Sequence, residues 1–210
     1  MTLAAAALSA LAGCGLFKPD TPQAPGASLP PIALLYGTPD QTLATFAAAV
    51  EAKGGSNGLT AYSRALADSL TGTDACEFRA LFDAVVYHSI TNPIVAPDGW
   101  DRTHEVPSFY QSFARIRPES YVFTWRDSSA FPDQLDATTA TLWRHYQVQA
   151  VPTSGEPITI AIGIVYPLEL TNTATGWKIC RWQDNVDPAV GPNPPGGDAL
   201  SMGARRLLNP

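Results

Sequence analysis

Two long β-patterned runs separated by a short polar loop, in the stretch Pro157 to Val186 (PITIAIGIVYPLELTNTATGWKICRWQDNV), constrain this chain more than any other feature. Ile158, Ile160, Ile162, Ile164, Tyr166, Leu168 and Leu170 recur at period two, with Thr159, Ala161, Gly163, Val165 and Glu169 between them. That alternation predicts a strand whose isoleucine face is buried and lines the space under the rest of the fold. After the loop Thr171 to Gly176 the chain returns, with Trp177 and Ile179 predicted on one face and Cys180 and Trp182 on the other. Pro167 has no N–H for a ladder, so it belongs at a bulge or an unpaired edge position.

The hairpin has company upstream. Thr138 to Val151 places Ala140, Leu142, Tyr146 and Val148 on one face and Thr139, Thr141, Trp143, His145, Gln147 and Gln149 on the other. Glu119 to Arg126 alternates Tyr121, Phe123 and Trp125 against Ser120, Val122 and Thr124. A loop, Asp127 to Asp136, separates these two runs, and the turn Pro152 to Glu156 leads into the hairpin, so the last three runs are predicted to form an antiparallel meander.

The N-terminal half reads as helices. Thr38-Pro39-Asp40-Gln41 has the form of a capping box with proline in the first turn, and Leu43, Phe46, Ala47 and Val50 follow as one apolar stripe. Gly54-Gly55 should end that helix. A second is predicted from Ser56 or Asn57, with Leu59, Tyr62, Leu66 and Leu70 on one face until Gly72. Ala75 to Val86 fits a strand or a brief helix; a strand is the expectation, with His88 at its end. A third helix is expected from Thr103, carrying Val106, Phe109, Tyr110 and Phe113.

At 210 residues the chain suits one domain with appendages, and a net charge of -6 provides no basic field for a nucleic acid. Its 19 prolines concentrate near the two ends. Residues 1–13 form a short apolar leader ending in Leu11-Ala12-Gly13-Cys14, which resembles a bacterial lipobox. The resemblance implies cleavage before Cys14 and lipidation of its thiol. It also implies an anchor in the cell envelope, with Gly15 favouring the outer membrane. Met1-Thr2 lacks the basic residues of such leaders, which points to an upstream start codon. Residues 14–37 read as a proline-rich tether, 38–188 as the folded domain, and 189–210 as a Pro/Gly-rich tail, mobile or loosely packed.

With Cys14 lipidated, Cys76 and Cys180 remain as an even pair in an oxidising compartment, and a disulfide between them is expected. The alternative is two separate buried thiols.

Helices first, a short strand region, Trp100-Asp101-Arg102 opening a further helix, then a long meander ending in Gly176-Trp177-Lys178-Ile179 and Trp182-Gln183-Asp184: this order resembles the SnoaL-like, nuclear transport factor 2-like superfamily over roughly Thr38 to Pro188. The resemblance implies an α+β cone, in which helices pack in a strongly bent antiparallel sheet. Enzymes that resemble this fold, such as ketosteroid isomerase, scytalone dehydratase and limonene epoxide hydrolase, place acid and base side chains inside the cone. Here the candidates are His145, Asp184, Tyr62 and His104, and no catalytic dyad maps onto them. Three of the four have a plainer reading. His145 suits a hydrogen-bonded outer sheet face, His104 an exposed first helical turn, and Asp184 a strand cap. No metal-ligand spacing, glycine-rich phosphate loop or nucleophile elbow is present, so no metal or cofactor is expected. Two functions remain. One is a non-catalytic, lipid-anchored module binding a small apolar ligand or a protein partner, with a homodimer through the sheet as one form of partner. The other is a small-molecule isomerase, dehydratase or hydrolase. An enclosed cone with at least two convergent titratable groups favours the enzyme; a filled cone disfavours it.

Overall fold

The computed structural model describes residues 31–52, 56–70, 74–89, 99–109, 120–188 and 201–208. The leader, Cys14, Gly54-Gly55, Gly72 and the Pro/Gly-rich residues 189–200 lie outside the described residues.

Helix α1 (Pro39–Glu51) starts as its sequence dictates: the Thr38 hydroxyl accepts the Gln41 N–H at 3.2 Å, and Pro39 occupies the first turn. The Gln41 side chain reaches back one residue further than in a standard capping box, accepting the Gly37 N–H at 3.0 Å. The stripe of Leu43, Phe46, Ala47 and Val50 is buried. Packing begins before the expected boundary at Thr38, since Tyr36 is buried and donates its hydroxyl to the Ala61 carbonyl at 3.0 Å. Helix α2 (Ser56–Ala65) is shorter than its periodicity suggested. Leu66 already leaves the helix to bridge Ile179, and Leu70 is exposed, so the i+4 spacing ran past the last helical turn.

Ala75 to Val86 divides between both of its readings. Strand β1 (Arg79–Leu81) is followed by α3 (Ala84–Ser89), which places His88 in a helix rather than at a strand end. Asp83 promotes the change, its carboxylate accepting the Val85 N–H at 2.8 Å. Strand β2 (Trp100–Asp101) leads into α4 (Arg102–His104) and a π-helical turn, Glu105–Phe109, over the described part of the expected third helix; Tyr110 and Phe113 lie outside the described residues. Asp101 caps the segment by accepting the His104 N–H at 3.1 Å.

The remaining strands are β3 (Ser120–Asp127), β4 (Gln134–Leu135), β5 (Thr139–Val151), β6 (Ile158–Thr173) and β7 (Gly176–Asn185). They form one curled sheet in the order β2-β1-β7-β6-β5-β3, with β4 paired to β5. The sheet is mixed rather than wholly antiparallel, because β1 runs parallel to β7. The α+β architecture implied by the resemblance is present, with α1 and α2 packed on one face of the sheet.

Register corrects the isoleucine face. Directly opposed residues share a face, and Ala161 and Gly163 oppose Val148 and Tyr146, whereas Ile162 and Ile164 oppose Gln147 and His145. Ala161 and Gly163 therefore line the helix-bearing side, and Ile162 and Ile164 lie on the opposite face, where Ile164 is buried, while Ile160 joins the core. The pairing of β6 with β7 shifts between Val165 and Leu168, where Pro167 sits, and the shift returns Leu168 and Leu170 to the helix-bearing face opposite Leu142 and Ala140. A second shift leaves Cys180 unpaired between Ile179 and Trp182. It brings those two residues to one face, where simple alternation had separated them.

The core is aromatic. Phe46 of α1 lies 4.8 Å from Tyr62, 6.0 Å from Phe123 and 5.2 Å from Trp182, centroid to centroid. Each such buried side chain stabilises the fold by about 1.5–3 kcal/mol. Cys76 and Cys180 form the expected disulfide, linking the segment before β1 to β7.

The tail departs most from expectation. Met202–Leu208 is a helix, α5, and Met202, Ala204 and Arg206 are buried against the sheet and helices. Met202 and Ala204 bury apolar surface, and Arg206 is buried with them.

Candidate functional site

The polar groups of the interior gather where β2, β5 and β7 meet α2 and the π-helical turn. Glu105 is fully buried, and its two carboxylate oxygens accept four donors. Oε1 takes the Tyr62 hydroxyl at 2.5 Å and Arg206 Nη2 at 2.6 Å; Oε2 takes Trp100 Nε1 at 2.6 Å and Arg206 Nε at 2.9 Å. All the lone-pair sites of a carboxylate are thereby used. Arg206 is also fully buried, and its guanidinium lies 5.2 Å from the centre of the Trp182 ring.

A second carboxylate lies beside the first. Asp184 on β7 is fully buried. Its Oδ1 accepts the Tyr146 hydroxyl at 2.6 Å and Trp182 Nε1 at 3.3 Å, and its Oδ2 accepts the Gly203 N–H at 2.5 Å. The Met202 N–H donates to the Tyr146 hydroxyl at 2.6 Å. Two glycines make room for this arrangement. A Cβ on Gly163 would lie 2.5 Å from the Tyr146 hydroxyl, and one on Gly203 would lie 2.6 Å from Asp184 Oδ2.

Burial sets the electrostatics of this floor. Desolvation pushes Asp184 above the usual carboxylate range, opposed by the Arg206 charge and by hydrogen bonds from Tyr146, Ser201 and Gly203. Desolvation likewise raises the Tyr62 and Tyr146 hydroxyls well above an ordinary tyrosine, reinforced by Glu105 and Asp184 respectively. For Arg206 the desolvation acts downward, but Glu105 outweighs it and holds the guanidinium more firmly protonated than usual.

Of the residues predicted from sequence, the fold brings Tyr62 and Asp184 to this floor, one hydrogen-bonded to Glu105 and the other acting on Arg206 through its charge. His145 and His104 lie elsewhere. His145 is on the opposite face of the sheet, with Nδ1 3.0 Å from Asp187 Oδ2 and Nε2 3.0 Å from the Tyr166 hydroxyl, which contacts Ser128 Oγ at 2.6 Å. His104 is exposed and pairs with Asp101 at 2.9 Å. Asp184 is no strand cap, since it points into the interior from within β7. Sequence reasoning missed Glu105 and Arg206, and it did not name Tyr146, Trp100 or Trp182 as site residues.

Chemically, the floor offers two carboxylates, two tyrosine hydroxyls and two indole N–H groups, all out of water. Such a set can hold a cation or perform acid–base work. In this structure Arg206 and the backbone N–H groups of Met202 and Gly203 occupy it.

No family model matches the sequence, and no curated protein does. Solved structures are similar to this chain. A Mycobacterium tuberculosis protein of unknown function is similar at a TM-score of 0.50 and 15% identity, over 80% of this chain and 87% of that one. A nuclear transport factor 2-like superfamily protein from Salmonella enterica serovar Typhimurium is similar at a TM-score of 0.44 and 12% identity, over 71% of this chain and 90% of that one. The first likeness concerns the fold alone, and neither carries an activity across.

Proposed function

We propose that this α+β, nuclear transport factor 2-like chain is a non-catalytic binding module of the bacterial cell envelope, held to the membrane by lipid on Cys14 and closed at rest by its own C-terminal helix. The observation that carries the reading is Arg206: its buried guanidinium spans both oxygens of Glu105, so the groups that would perform acid–base chemistry are already engaged. Among the described residues, an interior filled by the chain's own side chains offers a substrate no open, pre-formed site at these groups. A protein partner on the outer sheet face, a second copy included, is a separate part of the proposal, checked by sedimentation of the folded chain.

Hydrogen exchange of the whole chain tests the closed state. Amides of 202–206 are expected to be protected like those of β5 and β7, and exchange at the rate of free peptide would overturn the reading. Labelling with radioactive palmitate tests the anchor: incorporation is expected in the natural chain and lost in Cys14→Ala.

A second reading rests on a different pair. Asp184 and Tyr146 share a 2.6 Å hydrogen bond in a desolvated site, a combination suited to an isomerase, dehydratase or hydrolase. It requires α5 to leave before a substrate reaches either group. Turnover in Gly203→Ala exceeding that of the natural chain would favour it.

A further inference from the structure

We infer that the floor around Glu105 is a receptor for guanidinium groups, and that a small guanidinium-bearing ligand replaces Arg206 when α5 leaves. The inference rests on the closed-module reading and specifies what that module binds.

Glu105 is held ready by groups that do not belong to α5. Tyr62 anchors one carboxylate oxygen and Trp100 the other, so the carboxylate keeps its orientation without Arg206. The remaining lone pairs present one edge to two parallel donors, which Arg206 fills with Nε and Nη2. That side-on pairing matches a planar guanidinium and not an ammonium, whose three donors diverge from a point. Trp182 adds a face over which a flat, delocalised cation stacks. Asp184 contributes a second negative neighbour, already oriented by Tyr146.

The cost of vacancy makes the exchange a swap rather than an opening. Withdrawing Arg206 alone leaves a buried carboxylate without its cation, among the most destabilising states a protein interior can hold. An apolar ligand does not relieve that cost; a guanidinium does. The ligand class is therefore set by charge and shape together.

Chemical rescue of the full-length Arg206→Ala chain tests the inference. Guanidinium and methylguanidinium chloride, at millimolar concentration, are expected to raise its thermal midpoint in a saturable manner. Sodium chloride and methylammonium chloride are expected to leave it unchanged. The rise should disappear when Glu105→Gln is added, and in the natural chain the same guanidinium salts, but not methylammonium, should speed amide exchange at 202–206 as the ligand takes the place of Arg206; unchanged exchange there would overturn the replacement. Should Arg206→Ala fail to fold in buffer, its refolding yield with and without millimolar guanidinium supplies the same readout. No rescue, or an equal rescue by methylammonium, overturns the receptor. Failed rescue with α5 still protected from exchange in the natural chain rejects the ligand class alone; unprotected α5 rejects the closed state itself.

Discussion

Glu105 and Arg206 form the most consequential residue pair in the molecule, because neither is tolerable in the interior alone. Breaking a buried ion pair by removing one partner costs about 3–5 kcal/mol, since the survivor stays charged and unpaired. Arg206→Ala is accordingly expected to lose stability on that scale in urea denaturation. Arg206→Lys should lose less, keeping the charge but not the two-donor fork. A loss within about 0.5 kcal/mol, typical of surface substitutions, would show that the pair is not buried in solution. Asp184 carries the residue-scale pH dependence. Burial raises its folded-state pKa above the unfolded value near 3.8, so the folded state holds its proton more tightly. Its stabilising contribution is therefore complete below that value and is lost as pH rises through the raised folded pKa. The stability of the natural chain minus that of Asp184→Asn, measured by urea denaturation across pH, should fall as pH increases; a difference that rises would contradict the sign. Asp101 runs the opposite way. Burial acts to raise it, but bonds from Thr103 and His104 hold it down to about 2, so its contribution fades only as pH drops through the strongly acid range.

At the scale of elements, α5 owes its seat to small residues. A methyl on Gly203 would press on Asp184 Oδ2 at 2.6 Å and Asp184 Cβ at 3.1 Å, and the facing side chain is locked by Tyr146 and Trp182. Gly203→Ala is thus expected to lift α5 and speed amide exchange at 202–206, leaving β5 unaffected; unchanged protection would mean the helix is seated by other contacts. Local signals made part of the fold legible. Thr38 and Pro39 declare the start of α1, and the alternation of Tyr121, Phe123 and Trp125 declares β3, because each depends on neighbours a few residues away. The faces of β6 were illegible, since a register shift at Pro167 moves the pattern to the other side without altering the alternation. Glu105 and Arg206 were illegible for a related reason: they lie 101 residues apart, and α5 is too short to show a hydrophobic period. Tyr62 and Asp184 could be named as polar candidates, but nothing in their spacing shows that they share a floor.

On the scale of the whole molecule, a covalent bond ties the segment before β1 to β7, the neighbour of β1 in the sheet. The Cys76–Cys180 bond closes a sequence separation of 104 residues. In the chain-entropy model a loop of about 100 residues is worth about 4.7 kcal/mol, and removing native disulfides costs about 2–5 kcal/mol. The double variant Cys76→Ala, Cys180→Ala should lose stability in that range by urea denaturation; no loss would show that the sheet edge holds β1 without the link. The bond fixes β7, the strand that supplies Trp182 and Asp184 to the floor, while Trp100 pairs with β1 from the adjoining strand. Arg206 sits inside the fold on Glu105, with both side chains fully buried. Nuclear magnetic resonance of the Arg206 Nε–H in the full-length natural chain tests this directly. A slowly exchanging side-chain proton with nuclear Overhauser contacts to the Trp182 indole is the predicted result, and rapid exchange with water, without those contacts, would contradict it.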